Sequence, residues 1–407
     1  MALAIATIDA PRVEESLRAQ GVEPLVVDWS PPARGDLADV ARLTRAYADD
    51  SVEQGNRTAL EQLDAARPHL VGAGLAADLV PGMDARVILH AGPPCDWDAM
   101  GPAMRAQVAR AAVLEGWATD QGDAAALIAQ GAIALEPGAA HGVATTMCGV
   151  LSPSMAAWAV HDETTGADAW APISDGAGDG LPRGASTRDV LARHRMLADR
   201  VAPGMAAALG AVGPVDLLHL MRTASGMGDL PAARPRAASM LLMHELMPGL
   251  AARSLDAIPA IAPLLATGRL AMPLMAAASR AMLQATAGAG RSSLVTALAG
   301  NGSDVGIMLA GIPGAWFTAP APIADDADFA EGTAAPDAAA WTGDQGVIAC
   351  AEMAVDARLC LDAGEGPAIA MGIAGRTDGG WAGTGTVRVP LGAVRDALDA
   401  LVPPTAS

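Results

Sequence analysis

Val87-Ile-Leu-His-Ala-Gly-Pro-Pro94 decides how this chain is read. Val87-Ile-Leu89 is a short apolar run of the kind that forms a buried strand, so the strand ends on His90. Gly92 permits a positive φ or a close backbone approach, and Pro93-Pro94 fix φ and forbid continuation of a sheet ladder. Beyond Cys95, Asp96 or Asp98 is placed to cap a helical pattern that begins near Ala103. A rigid turn at the carboxyl end of a strand, beside a helix N-terminus, is where α/β proteins place ligands. The same residues also suit a plain strand-to-helix connection with His90 satisfied inside the fold, and the turn alone favours that plainer reading.

Working outward, the pattern predicts helices over Ala103–Trp117 and Asp123–Gln130 and a strand at Ile133–Leu135. A polar loop follows at His141-Gly142 and Thr145–Gly149, then a strand at Trp158–Val160, a loop from Pro172 to Gly184, and a helix opened by Thr187 that carries Arg193-His-Arg195. Upstream, strand Leu3–Ile8, helix Val13–Gln20 and strand Pro24–Val27 form a Rossmann-like unit. It lacks Gly-x-Gly-x-x-Gly, so no dinucleotide site is expected. Asp39–Ala66 reads as one linker helix stopped by Pro68, with His69 exposed at its end. Residues 201–300 are almost wholly helical in pattern. Beyond the Asn301-Gly302 turn come strands at Val305–Leu309 and Ala315–Thr318, an exposed acidic loop at Asp325–Asp337 and a helix at Leu391–Leu401. The expected fold is therefore mixed α/β (α+β) and multi-domain. Its parts are 1–66 (Rossmann-like), 67–200 (α/β, carrying the His90 turn), 201–300 (helical) and 301–407 (α/β).

Composition narrows the chemistry. The 407 residues are 52% hydrophobic but only 3% aromatic, so Ala, Val, Leu and Met do the packing. There is no lysine, which excludes a P-loop lysine, a Schiff-base lysine and a lysine general base. Any anionic substrate falls to arginine, backbone N–H groups or helix termini. A net charge of −19 argues against nucleic acid or an anionic membrane surface as partner. Cys95, Cys148, Cys350 and Cys360 show no C-x-x-C spacing, which suits a reduced, cytoplasmic setting. Met1-Ala-Leu-Ala-Ile5 lacks the basic start of a signal peptide. The apolar region Ile258–Leu283 is broken by prolines and arginines and reads as buried helices rather than a membrane span. His219 and His244 sit in apolar helices, and His244-Glu245 has no second His four residues on. No cluster has metal-ligand spacing, so neither metal nor cofactor is expected.

A set of motifs then points to one family. They are Val27-Asp-Trp-Ser-Pro-Pro32, His90-Ala-Gly-Pro-Pro94, Glu115-Gly-Trp-Ala118, Ser152-Pro-Ser-Met155, Met227-Gly-Asp229, Asn301-Gly302, Trp316-Phe-Thr-Ala-Pro320, Gly343-Asp344 and Gly383-Thr-Gly-Thr-Val-Arg388. In this order and spacing the chain resembles the YlbE/YahG-like proteins, encoded beside FdrA-like acyl-CoA-synthetase relatives in ureide-utilisation operons. One branch of that family is assigned as a subunit of oxamate carbamoyltransferase. Departures stand where the family carries polar residues: Gly138-Ala139, Leu230, Ala232, Arg234-Pro235, Gln345, Ala349 and Gly375-Arg376. A segment is also missing around Met353–Gly364.

The resemblance implies a cytoplasmic carbamoyltransferase subunit acting on carbamoyl phosphate and oxamate or a related ureide. It also implies an FdrA-like partner and a homo- or hetero-oligomer. Such transfer needs two substrates held in line, phosphate charge neutralised and a developing oxyanion stabilised. His90 is then the candidate to polarise the carbamoyl carbonyl, with backbone N–H groups near Gly92 on the phosphate. Asp229 and Asp344 are candidates to orient the attacking amide or fix a histidine tautomer. Arg193, Arg195, Arg234 and Arg388 are candidates for phosphate or carboxylate, with Asn301 and Thr318 as further substrate contacts. Each arginine taken alone suits a surface role. Two other readings stay open: a non-catalytic subunit that docks the synthetase-like partner, and a ureide carbon–nitrogen hydrolase or decarboxylase.

Overall fold

In the computed structural model the described residues are 5–8, 10–27, 31–83, 86–145, 149–173, 187–227, 233–267, 270–300, 304–320, 355–374 and 381–404. At the start, β1 (Ala6–Ile8) and β2 (Leu25–Val27) pair in parallel around the Pro11–Ala19 helix. This is the expected strand–helix–strand unit, but its sheet has two strands among the described residues, and Leu25, Val26 and Val27 are exposed.

The expected single helix over 39–66 is two helices, Leu37–Ala48 and Asp50–Ala65. Asp49 breaks the run at φ −90°, ψ 98°, and its carboxylate caps the second helix by accepting from the Ser51 N–H. Asp36, Asp120, Asp216 and Asp356 likewise cap helices with their side chains. Asp96 and Asp98 do not. The Pro102–Leu114 helix starts from Gly101 without a side-chain cap, and Asp96 instead begins a short 3-10 turn over Trp97–Ala99.

His69 does not sit at a helix end. Pro68–Leu75 is β3, an inner strand of a four-stranded sheet. Pro68 takes its first position, where the missing N–H costs least, and a register shift falls between Leu70 and Gly72. Next come β4 (Val87–His90), β5 (Ala134–Pro137) and β6 (Val150–Leu151), in the order β5-β4-β6, with β4 parallel to β5 and antiparallel to β6. The four-stranded sheet is completed by β7 (Ala156–Asp162), β8 (Asp168–Pro172) and β9 (Val215–Asp216), in the order β8-β7-β3-β9.

Alternation along the strands stacks these layers. From β7, Trp158 and Val160 face a large core with the Ala202–Val212, Ala233–Arg253 and Ala271–Ala285 helices, and this core runs from Leu70 to Ala281. On the other face, Ala157 packs with Val87, Leu89 and Leu151. The small sheet thus lies against the larger one. Its opposite face, through Ile88 and Val150, packs on Met104, Val108 and Ala111 of the Pro102–Leu114 helix. Where the Ala233–Arg253 helix meets Ala202–Val212, a Cβ on Gly249 would lie 2.4 Å from the Ala208 carbonyl oxygen, so only glycine allows this approach.

Toward the C-terminus, β10 (Val295–Gly300), β11 (Asp304–Leu309) and β12 (Phe317–Pro320) form an antiparallel sheet. β13 (Ala368–Ala374) and β14 (Trp381–Arg388) form an antiparallel pair, followed by the Leu391–Leu401 helix. The β10–β12 sheet shares one core with Leu43 and Val52 from the early helices and Val394 and Leu398 from the last one. Buried polar groups reinforce the join. Asp39 is gripped by Arg395 at 2.7 Å and Arg42 at 2.9 Å, and Arg358 holds Asp356 at 2.7 Å while stacking 4.5 Å above the Tyr47 ring. No helix among the described residues is long and apolar enough to cross a membrane.

Candidate functional site

The His90 turn is built as its residues require. Gly92 adopts φ +91°, and the Ala91 N–H donates to the Gly149 carbonyl at 3.0 Å, tying the turn to the approach to β6. His90 itself is 1% exposed. It shares the helix-facing side of β4 with Ile88 and stands directly opposite Val150 in the antiparallel register. Its Nδ1 lies 2.8 Å from the Ala91 carbonyl oxygen, an acceptor only, so Nδ1 carries the proton and donates. Nε2 is buried and has no hydrogen-bond partner among the described residues. Burial pushes the ring below the ordinary histidine value, and the Ala91 bond pulls weakly the other way. The ring is therefore neutral at pH 7, with a bare lone pair at Nε2. Such a nitrogen accepts a proton or an N–H and does not donate to a carbonyl oxygen. The sequence-based expectation that His90 polarises a carbonyl does not fit this tautomer; contact with an amide N–H does.

Two further motifs meet beside it. Glu115, just past the Pro102–Leu114 helix, accepts on Oε1 from the Ser152 hydroxyl at 2.6 Å, the Ser154 N–H at 2.8 Å and the Ser154 hydroxyl at 2.8 Å. Glu115-Gly-Trp-Ala118 and Ser152-Pro-Ser-Met155 are thus halves of one clamp, which fixes the turn between β6 and β7. Glu115 was not among the expected site residues, and its role shows only when the two motifs are brought together.

The same clamp borders a small cleft, open to solvent on one side, with about 10 Å³ of space, room for one water. Gln107, Arg110, Ala111 and Leu114 line it from one face of the helix, at the spacing that shares a helical face. Val150, Met155 and His194 form the other walls. Val150 is the register partner of His90, so both side chains leave the sheet on the same side. Arg110 is half-buried, its Nε has no hydrogen-bond partner among the described residues, and burial alone pushes its guanidinium down from the ordinary value. It remains a cation at any working pH.

The other expected residues are scattered. Arg193 is half-buried and Arg195 exposed on the Thr187–Met196 helix, which places the intervening His194 in the cleft wall. Thr318 is exposed on β12. Arg388 ends β14 and is engaged locally, with Glu365 at 3.1 Å and the Gly366 carbonyl at 2.8 Å. Arg234 lies in the Ala233–Arg253 helix, and its side chain, together with Asp229, Asn301 and Asp344, lies outside the described residues. One pair went unforeseen: His141 Nε2 stands 2.5 Å from Glu136 Oε2, tying the 3-10 turn at Gly138–His141 back onto β5. No group of three His, Cys, Asp or Glu gathers at metal-binding distance among the described residues.

What these features define is a mixed α/β protein of several small sheets, with its candidate site at the carboxyl end of an internal strand. The family model for oxamate carbamoyltransferase subunit AllG matches residues 133–345. Oxamate carbamoyltransferase subunit AllG of Escherichia coli K12 is 31% identical over 409 aligned residues, covering 86% of this chain and 98% of that protein. The uncharacterized protein YahG of the same organism is 35% identical over 314 residues, covering 75% of this chain and 66% of that protein. Among solved structures, a conserved protein of unknown function from Enterococcus faecalis V583 matches with a TM-score of 0.74 and 27% identity, covering 86% of this chain and 97% of that one. The chain belongs to the AllG family, as a divergent member.

Proposed function

We propose that this chain is a subunit of a cytoplasmic oxamate carbamoyltransferase-like enzyme, assembled with an FdrA-like partner. The observation that carries the reading is the family match together with the unpartnered, buried Nε2 of His90. In the reaction the oxamate amide nitrogen attacks the carbamoyl carbon of carbamoyl phosphate. The carbon–oxygen bond to phosphate breaks, phosphate leaves with the electron pair, and the nitrogen loses a proton. A neutral imidazole with a free lone pair suits that last step: it accepts an N–H of the attacking amide and takes its proton as the bond forms. Burial keeps the ring neutral and ready at physiological pH. The backbone N–H groups near Gly92 are the candidate phosphate contacts, since no lysine is present.

The test is reconstitution with the subunits encoded beside it, following phosphate release from carbamoyl phosphate in the presence of oxamate. The proposal expects oxamate-dependent phosphate release that disappears when this chain is omitted. Activity that survives its omission would contradict it, and so would ammonia release without any phosphate donor, which is the signature of a hydrolase. The apolar replacements at Leu230, Ala232 and Ala349 favour one second reading, a non-catalytic subunit that only assembles the enzyme.

A further inference from the structure

We propose that His69 on β3 and His161 on β7 together form a binding site for a divalent transition metal of the Zn²⁺, Ni²⁺ or Cu²⁺ kind. The site lies on a different sheet from the His90 turn and does not depend on the carbamoyltransferase reading.

Strand register brings the two histidines together. Asp168 of β8, His161 of β7, His69 of β3 and Asp216 of β9 are successive register partners, so they form one row across all four strands. Residues directly opposite in antiparallel strands leave the sheet on the same side, with Cβ atoms roughly 4.5–5.5 Å apart. Leu70 and Val160, the next pair along, face the large core, so the row faces the other way. There the His69 and His161 side chains are 18% and 40% exposed, which lets an ion reach both from solvent.

The two rings are engaged alike. His161 Nδ1 lies 2.7 Å from Asp168 Oδ1, and His69 Nδ1 lies 2.9 Å from the Arg67 carbonyl oxygen. Both partners are acceptors only, so each Nδ1 carries the proton and donates. The lone pair of each neutral ring is then at Nε2, and neither Nε2 has a hydrogen-bond partner among the described residues. An Nδ1–H given to a carboxylate or a backbone carbonyl is how proteins orient a histidine that ligates metal through its other nitrogen. A cross-strand ion pair would account for Asp168 and His161, but not for a second histidine beside them with the same nitrogen free.

Imidazole nitrogens suit Zn²⁺, Ni²⁺ and Cu²⁺, whereas Mg²⁺ and Ca²⁺ take oxygen ligands. Two protein ligands leave the remaining positions to water, which agrees with the lack of any three-residue ligand group among the described residues. Charge favours a cation here. Glu163, with Oε1 3.8 Å from His69 Nδ1, joins Asp168 and Asp216 around the pair, and the chain as a whole carries −19. The nearby Arg67 guanidinium is turned to the Asp64 and Ala66 carbonyl oxygens.

The test uses the full chain, free of any affinity tag and stripped with a chelator. Zn²⁺ is titrated by calorimetry, and Cu²⁺ is followed by electron paramagnetic resonance. The expected results are one strong Zn²⁺ site that Mg²⁺ does not displace and a Cu²⁺ spectrum showing two coordinated nitrogens. His69→Gln and His161→Gln should each weaken Zn²⁺ at least about tenfold and leave one nitrogen on Cu²⁺, while Asp168→Asn should cost about tenfold with both nitrogens kept. Zn²⁺ should raise the melting temperature of the wild-type chain but not that of His69→Gln. His244→Gln, exposed on the Ala233–Arg253 helix, should change nothing. A wild-type chain that binds no Zn²⁺, or whose Cu²⁺ shows fewer than two nitrogens, overturns the proposal. So does undiminished affinity in the two histidine variants, or an equal loss in His244→Gln.

Discussion

Replacing Glu115 is the sharpest perturbation of the scaffold beneath the site. One carboxylate oxygen accepts three hydrogen bonds, from the Ser152 hydroxyl, the Ser154 N–H and the Ser154 hydroxyl. Ser152 is 0% exposed, so Glu115→Ala leaves its hydroxyl without a partner or water, whereas Ser154 is half-buried and finds solvent. Hydrogen bonds to a charged group contribute about 1.5–3 kcal/mol each and do not add fully, so the expected loss is about 2–4 kcal/mol. Glu115→Gln keeps an acceptor and should cost about 1 kcal/mol. The loss is local: hydrogen exchange followed by mass spectrometry should show faster exchange over residues 149–158, and urea unfolding should shift to a lower midpoint. Unchanged exchange in Glu115→Ala, or equal damage from Gln and Ala, would refute the clamp.

Asp39 makes stability depend on pH. Its bonds to Arg395, and then to Arg42, hold its carboxyl below the ordinary aspartate value. The stabilisation is complete above the unfolded value of about 3.9 and is lost as pH falls through the lower folded value. Urea midpoints should therefore drop below about pH 4, with a shallower drop in Asp39→Asn; an identical acid profile in the two proteins would count against the pairing. Gly55→Ala in the Asp50–Ala65 helix should be severely destabilising, even though alanine is the better helix former by about 1 kcal/mol. The new Cβ would sit 1.9 Å from the Arg291 carbonyl oxygen, a backbone atom that cannot move aside alone. A variant as soluble and as stable as the parent would show that this contact is not tight.

Much of the scaffold was legible because strong local signals agreed with the final packing. Val87–His90 formed from an unbroken apolar run, and the helices at Pro102–Leu114, Gln121–Ala129 and Leu391–Leu401 followed their apolar spacing. β3 was hidden because Pro68, Gly72 and Gly74 all depress strand propensity, and only pairing with β7 and β9 overrides them. The break at Asp49 was masked by apolar periodicity that runs on across it. At the site, His90 could be picked out by its place at a strand end, but its tautomer depends on the Ala91 carbonyl folding back onto the ring. Arg110 gave no sequence signal at all. An arginine in a helix reads as a solvated charge until burial and the lack of a partner are seen. Of the arginines favoured from sequence, Arg388 is occupied by Glu365, and Arg195 stays in solvent.

The central claim is that the lone pair of His90 takes a proton in carbamoyl transfer, and one comparison tests it most directly. Wild-type and His90→Gln chains, each assembled with the neighbouring subunits and matched for complex content by size-exclusion chromatography, are compared in oxamate-dependent phosphate release. General-base contributions are about 10²–10⁴-fold, so the account predicts a kcat loss of at least about 100-fold in an intact complex. An assembled His90→Gln enzyme with wild-type kcat would contradict it.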